Sequence, residues 1–130
     1  MIFVDSSAWI AFFNGAKDPI ADRLDEALHH DESLCIADLI LTEVLQGFRR
    51  DRDFDLARRT LAAVDRLPLS YSTYVNAARL YRRLRTRGIT PKTIDCIVAQ
   101  ACLDSGASLL TRDRDFEVIA RHSRLRLVAA

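Results

Sequence analysis

Four acidic residues stand where a carboxylate can do chemistry. Asp5 closes the apolar run Ile2-Phe3-Val4 and Asp113 follows Leu109-Leu110-Thr111, so both leave short strand candidates for polar loops. Glu43 and Asp95 lie beside apolar helical stripes, the first with Leu41, Val44, Leu45 and Phe48, the second with Ile94, Ile97, Val98 and Ala101. A carboxylate at the edge of a core needs a partner, because an unpaired buried charge is costly and grouped carboxylates raise one another's pKa. A hard divalent cation answers both demands with oxygen ligands, and Mg2+ or Mn2+ can also hold phosphate oxygens and activate water for in-line attack. The chemistry expected is that of a metal-dependent nuclease or phosphatase, with Asp5, Glu43, Asp95 and Asp113 as the candidate metal ligands and catalytic residues. The 18 acidic residues leave plainer placements open: Asp5 and Asp95 satisfying helix ends, Glu43 paired with Arg50, Asp113 in a turn.

The elements that must carry these acids alternate. After the first strand, Ser6 and Ser7 offer caps for a helix to about Phe13, and Asn14-Gly15 marks a turn. Asp18-Pro19 opens a helix predicted to run from Pro19 to His30, Ser33 to Ala37 reads as a strand, and Asp38 is placed to cap the helix bearing Glu43. Residues 49–55 read as a solvated corner before a helix from Phe54 that stops near Pro68. Val75, Ala78, Leu80, Tyr81 and Leu84 define the next helix, broken at Gly88, and Thr93 is placed to cap the helix carrying Asp95. Strand candidates at Ser108 to Thr111 and Leu125 to Val128 flank a last short helix in which Phe116 is read as core. This alternation predicts a mostly parallel sheet covered by helices, with ligands outside the carboxyl ends of its strands.

Composition narrows the function. The 130 residues are 49% hydrophobic and 28% charged, which suits one globular unit over residues 1–130 and excludes a disordered linker. No apolar stretch reaches the length of a membrane span and the amino terminus has no positive leader, so a cytoplasmic protein is expected. Cys35, Cys96 and Cys102 lack paired metal-ligand spacing and read as buried thiols, while the three His residues support neither a zinc site nor a nucleophile triad. No glycine-rich phosphate loop precedes Lys and Ser or Thr, which speaks against nucleotide-triphosphate hydrolysis. Residues 1–65 hold 7 basic and 13 acidic side chains, whereas residues 66–130 hold 12 and 5, so the second half could face a polyanion.

Taken together, the blocks resemble the PIN-domain ribonucleases and, within them, the VapC-like toxins of bacterial and archaeal toxin–antitoxin pairs. Phe3-Val4-Asp5-Ser6-Ser7 resembles that family's first strand, Asp and hydroxyl pair, and Leu41-Thr42-Glu43-Val44-Leu45-Gln46-Gly47 its acidic helix. Thr93-Ile94-Asp95-Cys96-Ile97-Val98-Ala99-Gln100-Ala101 resembles the third block, with Cys96 where aliphatic residues are usual, and Leu109-Leu110-Thr111-Arg112-Asp113-Arg114-Asp115-Phe116 the last. All four stand in family order between residues 2 and 116. The resemblance implies a three-layer α/β/α domain with a central parallel sheet, Mg2+-dependent endoribonuclease activity with Mn2+ as a substitute, a homodimer and a cognate antitoxin.

With that resemblance, Asp5 is the expected central ligand, Asp95 and Asp113 complete the metal shell, and Glu43 binds a second ion or orients the attacking water. Asp115 is either an auxiliary acid or a helix cap before Phe116. Ser6, Ser7 and Thr111 are placed to orient the carboxylates, or to cap locally. Arg112 and Arg114, and Arg82 and Arg85 in the cluster from Arg79 to Arg87, are candidate RNA phosphate contacts set against a role as solvated surface charge. Tyr71, Tyr74 and Tyr81 are read as partly core-spaced, and Trp9 with Phe12, Phe13 and Phe48 as core or partner surface. Two other functions compete: a PIN-like nuclease of RNA processing or of DNA, and an interaction protein that has lost catalysis.

Overall fold

In the computed structural model, which describes residues 1–130, Ile2–Val4 (β1) takes an inner place in the sheet. It pairs in parallel with Leu34–Ile36 (β2) on one side and Ser108–Leu110 (β4) on the other, and β2 pairs in parallel with Asp65–Arg66 (β3). The order is β3-β2-β1-β4. Parallel neighbours require long crossovers, and helices supply them. Ser6–Phe13 (α1) and Pro19–His29 (α2) link β1 to β2, and Asp38–Leu45 (α3) and Asp51–Ala62 (α4) link β2 to β3. Tyr71–Thr86 (α5) and Thr93–Ser105 (α6) then carry the chain from one edge of the sheet to the other, and Asp115–Arg121 (α7) follows β4. Helix α1 packs on α2 and α3, and α3 on α4, while α5 packs on α6, giving the expected three-layer α/β/α arrangement with a parallel sheet.

The chain runs outward from β1 through β2 to β3 and then returns to β4 on β1's other side. The carboxyl ends of β1 and β4 therefore bound a switch point, the place where open α/β sheets leave a crevice. Phe3, Val4, Leu109 and Leu110 are fully buried there, so the residues that follow, Asp5 and Thr111, emerge from a rigid base. Trp9 and Phe116 are also buried, which makes both core residues. Asp18 accepts a hydrogen bond at Oδ1 from the Ala21 N–H (2.9 Å) and, with Pro19, starts α2 as expected. Gly106, at φ 74°, closes α6 in the left-handed conformation that a side chain disfavours.

Several expectations are corrected. Helix α4 starts at Asp51, so most of the predicted corner is helical, and Asp51 and Asp53 lie in a first turn whose free N–H groups favour acids. The chain then leaves that helix at Ala63 and forms β3, an exposed two-residue edge strand whose Asp-Arg sequence carries no alternating pattern. Residues 125–128 form a single parallel bridge, Leu109 to Leu127, in place of a full strand. Asp38 and Thr93 are the first residues of their helices and do not cap them; Ala37 and Lys92 hold those positions. Cys35, Cys96 and Cys102 are buried free thiols, and burial pushes Cys35 and Cys96 up to about 11. No helix is long and apolar enough to cross a membrane.

Candidate acidic active site

Asp5 is the best-anchored of the acids. Its N–H donates to the Leu110 carbonyl (2.9 Å), which ties it to the end of β4, and the residue is only 6% exposed. Oδ2 accepts from the Ser7 hydroxyl (2.8 Å) and the Thr111 hydroxyl (2.9 Å). Each of those hydroxyls also receives a backbone N–H, Ser7 from Arg112 (2.9 Å) and Thr111 from Asp113 (3.0 Å). The same hydroxyls that orient Asp5 thus fix the loop that presents Asp113. The Asp115 N–H in turn donates to Asp113 Oδ1 (2.9 Å). Asp5 precedes α1 without capping it through its side chain, which lines the cleft instead.

Asp5, Glu43, Asp95 and Asp113 line one cleft of about 380 Å3, together with Ser6, Ser7 and Lys92. Asp95, at the first turn of α6, is 8% exposed and its Oδ2 has no hydrogen-bond partner; Glu43 Oε1 is likewise buried and unpartnered. Burial, then the charges of Asp113 and Asp5, pushes the Asp95 carboxyl up to about 6, with Lys92 working in the opposite sense. Burial and then Asp5 also raise Glu43. One oxygen each from Asp95, Asp113 and Asp115 lies within 4.8 Å of the others. Orphaned buried oxygens in an all-carboxylate donor set fit a hard divalent cation better than they fit an empty fold.

The plainer placements fare unevenly. Glu43 forms no ion pair with Arg50, and Asp115 is the first helical residue of α7, with Arg114 at the cap position, so Asp115 joins the acidic cluster instead of capping. Asp95 does lie where the amino end of α6 favours an anion, but that leaves Oδ2 unpartnered. Arg112 is engaged within the protein: its Nε is 2.9 Å from Asp18 Oδ2. Arg114 is exposed, Arg85 donates to Thr90, and Arg82 borders an apolar groove between α5 and α6. Tyr71 and Tyr74 are exposed, contrary to the core-spaced reading, because α5 turns that side to solvent. Phe12, Phe13 and Phe48 are partly buried, with Phe13 in contact with the other two rings.

Lys92 belongs to the site although no sequence motif marks it. It lines the acidic cleft and its Nζ is 3.8 Å from Asp115 Oδ2. The signal was present in its place one helical turn before Asp95, where a cation can offset a carboxylate.

The PIN domain family model matches residues 2–122. The chain is 30% identical over 128 residues to ribonuclease VapC11 of Mycobacterium tuberculosis (strain ATCC 25618 / H37Rv), covering 96% of each. Among solved structures it is similar to VapBC2 from Rickettsia felis, bound to a DNA fragment from their promoter, with a TM-score of 0.78, 16% identity and 98% of each chain covered. It is also similar to VapC20 of Mycobacterium tuberculosis, a Sarcin-Ricin loop cleaving toxin, with a TM-score of 0.66, 17% identity, and 90% of this chain and 93% of that one covered. At these identities the two structures bear on the fold.

Proposed function

Because the chain belongs to the PIN-domain family and is a homologue of the VapC ribonucleases, we propose that it is a Mg2+-dependent endoribonuclease and the toxin of a type II toxin–antitoxin pair. The observation that carries this reading is the meeting of Asp5, Glu43, Asp95 and Asp113 in one cleft, with a buried oxygen of Glu43 and another of Asp95 left without a partner. A bound Mg2+ or Mn2+ neutralises such a cluster, holds phosphate oxygens and makes water acidic enough to attack near neutral pH.

The chain's own residues do the rest. Ser7 and Thr111 orient Asp5 and the Asp115 N–H orients Asp113, so both carboxylates are held at the cleft where they would serve as ligands. Asp95 and Asp113 complete the ligand set, Glu43 orients the attacking water, and Asp115 is an auxiliary acid. Lys92 and Arg114 offset the acidic centre where an RNA phosphate must approach, and Arg82 and Arg85 lie on the more basic half of the chain for flanking phosphates. Water attacks in line with the leaving 3′ oxygen and leaves 5′-phosphate and 3′-hydroxyl ends. The unit spans residues 1–130, works on cytoplasmic RNA as a homodimer, and is inhibited by a cognate antitoxin that lays an apolar segment against Phe12, Phe13 and Phe48.

The test is cleavage of a mixed cellular RNA pool with Mg2+, with EDTA, and by Asp5→Asn and Asp95→Asn, with product ends mapped. Discrete Mg2+-dependent cuts bearing 5′-phosphates, lost in both variants, are expected. A 2′,3′-cyclic phosphate product would show attack by the RNA's own 2′-hydroxyl and contradict this mechanism. Binding of an antitoxin with no loss of activity would contradict the inhibition.

A further inference from the structure

Arg112 lies between two ligand candidates' supports, and its side chain points to neither of them. Its backbone N–H donates to Ser7 Oγ, the same oxygen that donates to Asp5 (2.9 and 2.8 Å). Its side chain reaches the start of α2, where Nε is 2.9 Å from Asp18 Oδ2. Asp18 divides its two oxygens between tasks. Oδ1 caps α2 at the Ala21 N–H, whereas Oδ2 is shielded from solvent, makes no hydrogen bond and faces the Arg112 charge. The pair is asymmetric in exposure, 18% for Asp18 and 56% for Arg112, so the carboxylate is the fixed half.

The fixed half sits on firm ground. Gly15, at φ 66°, turns the chain after α1, and α2 packs back on α1 with Ala21, Leu24 and Ala27 buried. The other half belongs to residues 111–114, which lie between β4 and α7 outside any helix or strand and carry Asp113. At its far end this segment is held to α7, where the Phe116 and Glu117 N–H groups donate to the Asp113 and Arg114 carbonyls (3.3 and 2.9 Å), and at its near end it is held through Thr111 and the Ser7 hydroxyl, both of which are also partners of Asp5. Without the ion pair, the side of the loop nearest β4 would be held only by groups that also bond Asp5.

We propose that Asp18 and Arg112 are positioning residues for the acidic site: their ion pair fastens the loop carrying Asp113 to the start of α2 and thereby sets the affinity of the site for a divalent cation. The inference rests on the metal-dependent reading above. It replaces an RNA-phosphate role for Arg112 with an internal one, and it gives a role to Asp18, which touches none of the four carboxylates' hydrogen-bond partners directly. Neither residue touches the reacting groups, so loss of the pair lowers metal affinity and leaves RNA affinity in place.

The test measures Mn2+ binding to the full chain, by calorimetry or by the electron paramagnetic resonance of free Mn2+, for wild type, Asp18→Asn, Arg112→Ala and the double variant. Asn caps a helix about as well as Asp, so the Asn variant removes the charge and keeps the start of α2. Both single variants are expected to raise the Mn2+ Kd about 5-fold, at or below the lower end of the 10–100-fold seen for direct partners of a ligand. The double variant is expected to match either single one, because both break the same pair. In cleavage assays the matching result is a higher Mg2+ requirement, rescued by excess Mg2+, at unchanged KM for RNA.

An unchanged Mn2+ Kd in Asp18→Asn would overturn the proposal, and an Arg112→Ala variant with raised KM and a shallower salt dependence would return Arg112 to phosphate binding. Should Asp18→Asn fold poorly by circular dichroism, Arg112→Ala and Arg112→Lys decide the matter, with Lys expected to retain part of the affinity. Asp5→Asn is the control for the site itself. A wild-type protein that binds no Mn2+ would defeat the metal reading, whereas wild-type binding lost in Asp5→Asn but kept in Asp18→Asn would defeat this inference alone.

Discussion

Helix α6 carries a carboxylate at each end, and the two are treated in opposite ways. Asp104, in its last turn, accepts from the Thr73 hydroxyl at one oxygen (2.7 Å) and from the Gln100 amide at the other (2.8 Å), so protein donors satisfy it. Asp95, in the first turn, is more deeply buried, stands among Asp5, Asp113 and Asp115, and keeps one oxygen without a partner. Asp104 links α6 to the start of α5 and serves the fold. Asp95 burdens the fold, and a burden of that kind is what a ligand site looks like before its ligand is counted.

The sharpest way to break this contrast is to neutralise the two ends separately. Asp5→Asn and Asp95→Asn are expected to lower Mg2+-dependent RNA cleavage by more than about 100-fold, beyond the range for residues that only support a ligand. Asp104→Asn should leave kcat close to wild type. Next in size, Ser7→Ala and Thr111→Val, which each remove one hydrogen bond to Asp5, are expected to weaken Mn2+ binding by about 10-fold, with little change in fold by circular dichroism.

Stability separates the ends in sign. Asp104→Asn or Thr73→Val is expected to cost about 1–2 kcal/mol in denaturant unfolding, with or without Mg2+, because a charged hydrogen bond is lost. Asp95→Asn is expected to stabilise the metal-free protein by up to about 2 kcal/mol at pH 7.5, since it deletes a charge that burial and like neighbours penalise.

The pH dependence follows from the same shift. The Asp95 carboxyl titrates near 6 when folded, above its ordinary value of 3.8, so the folded chain binds more protons than the unfolded one between those values. The penalty is fully present above about pH 6 and is relieved as pH falls below it, so metal-free wild type should gain stability between pH 7 and pH 5. Saturating Mg2+ should abolish that gain, because a ligand that needs the ionised carboxylate binds more weakly as Asp95 takes up a proton. Thermal melts across this range, with and without Mg2+, check both statements.

Much of this contrast was legible in the sequence. Asp5 stands directly after one short apolar run that reads as a strand and Asp113 three residues after another, and Glu43 and Asp95 interrupt or border apolar stripes, so each acid was visible as a charge set against a core. Local pattern placed the helices for the same reason. It failed where structure comes from tertiary pairing: β3 is a polar Asp-Arg pair that becomes a strand only because β2 lies beside it, and Leu125–Val128 has a strand's composition but only one bridging position on β4. The Asp18 to Arg112 pair joins distant parts of the chain, and no periodicity reports such a contact. Tyr71 and Tyr74 are exposed against expectation because an aromatic at helical spacing has the same pattern whether its face is covered or open.

The most direct measurement is thermal unfolding of wild type and Asp95→Asn at pH 7.5, each with and without Mg2+. At about 4 °C per kcal/mol for a chain of this size, the metal-free variant should melt several degrees above metal-free wild type, and Mg2+ should raise the wild-type Tm while leaving the variant nearly unchanged. A metal-free variant that melts below wild type, with no response of either protein to Mg2+, would show that Asp95 serves the fold as Asp104 does and would contradict the account.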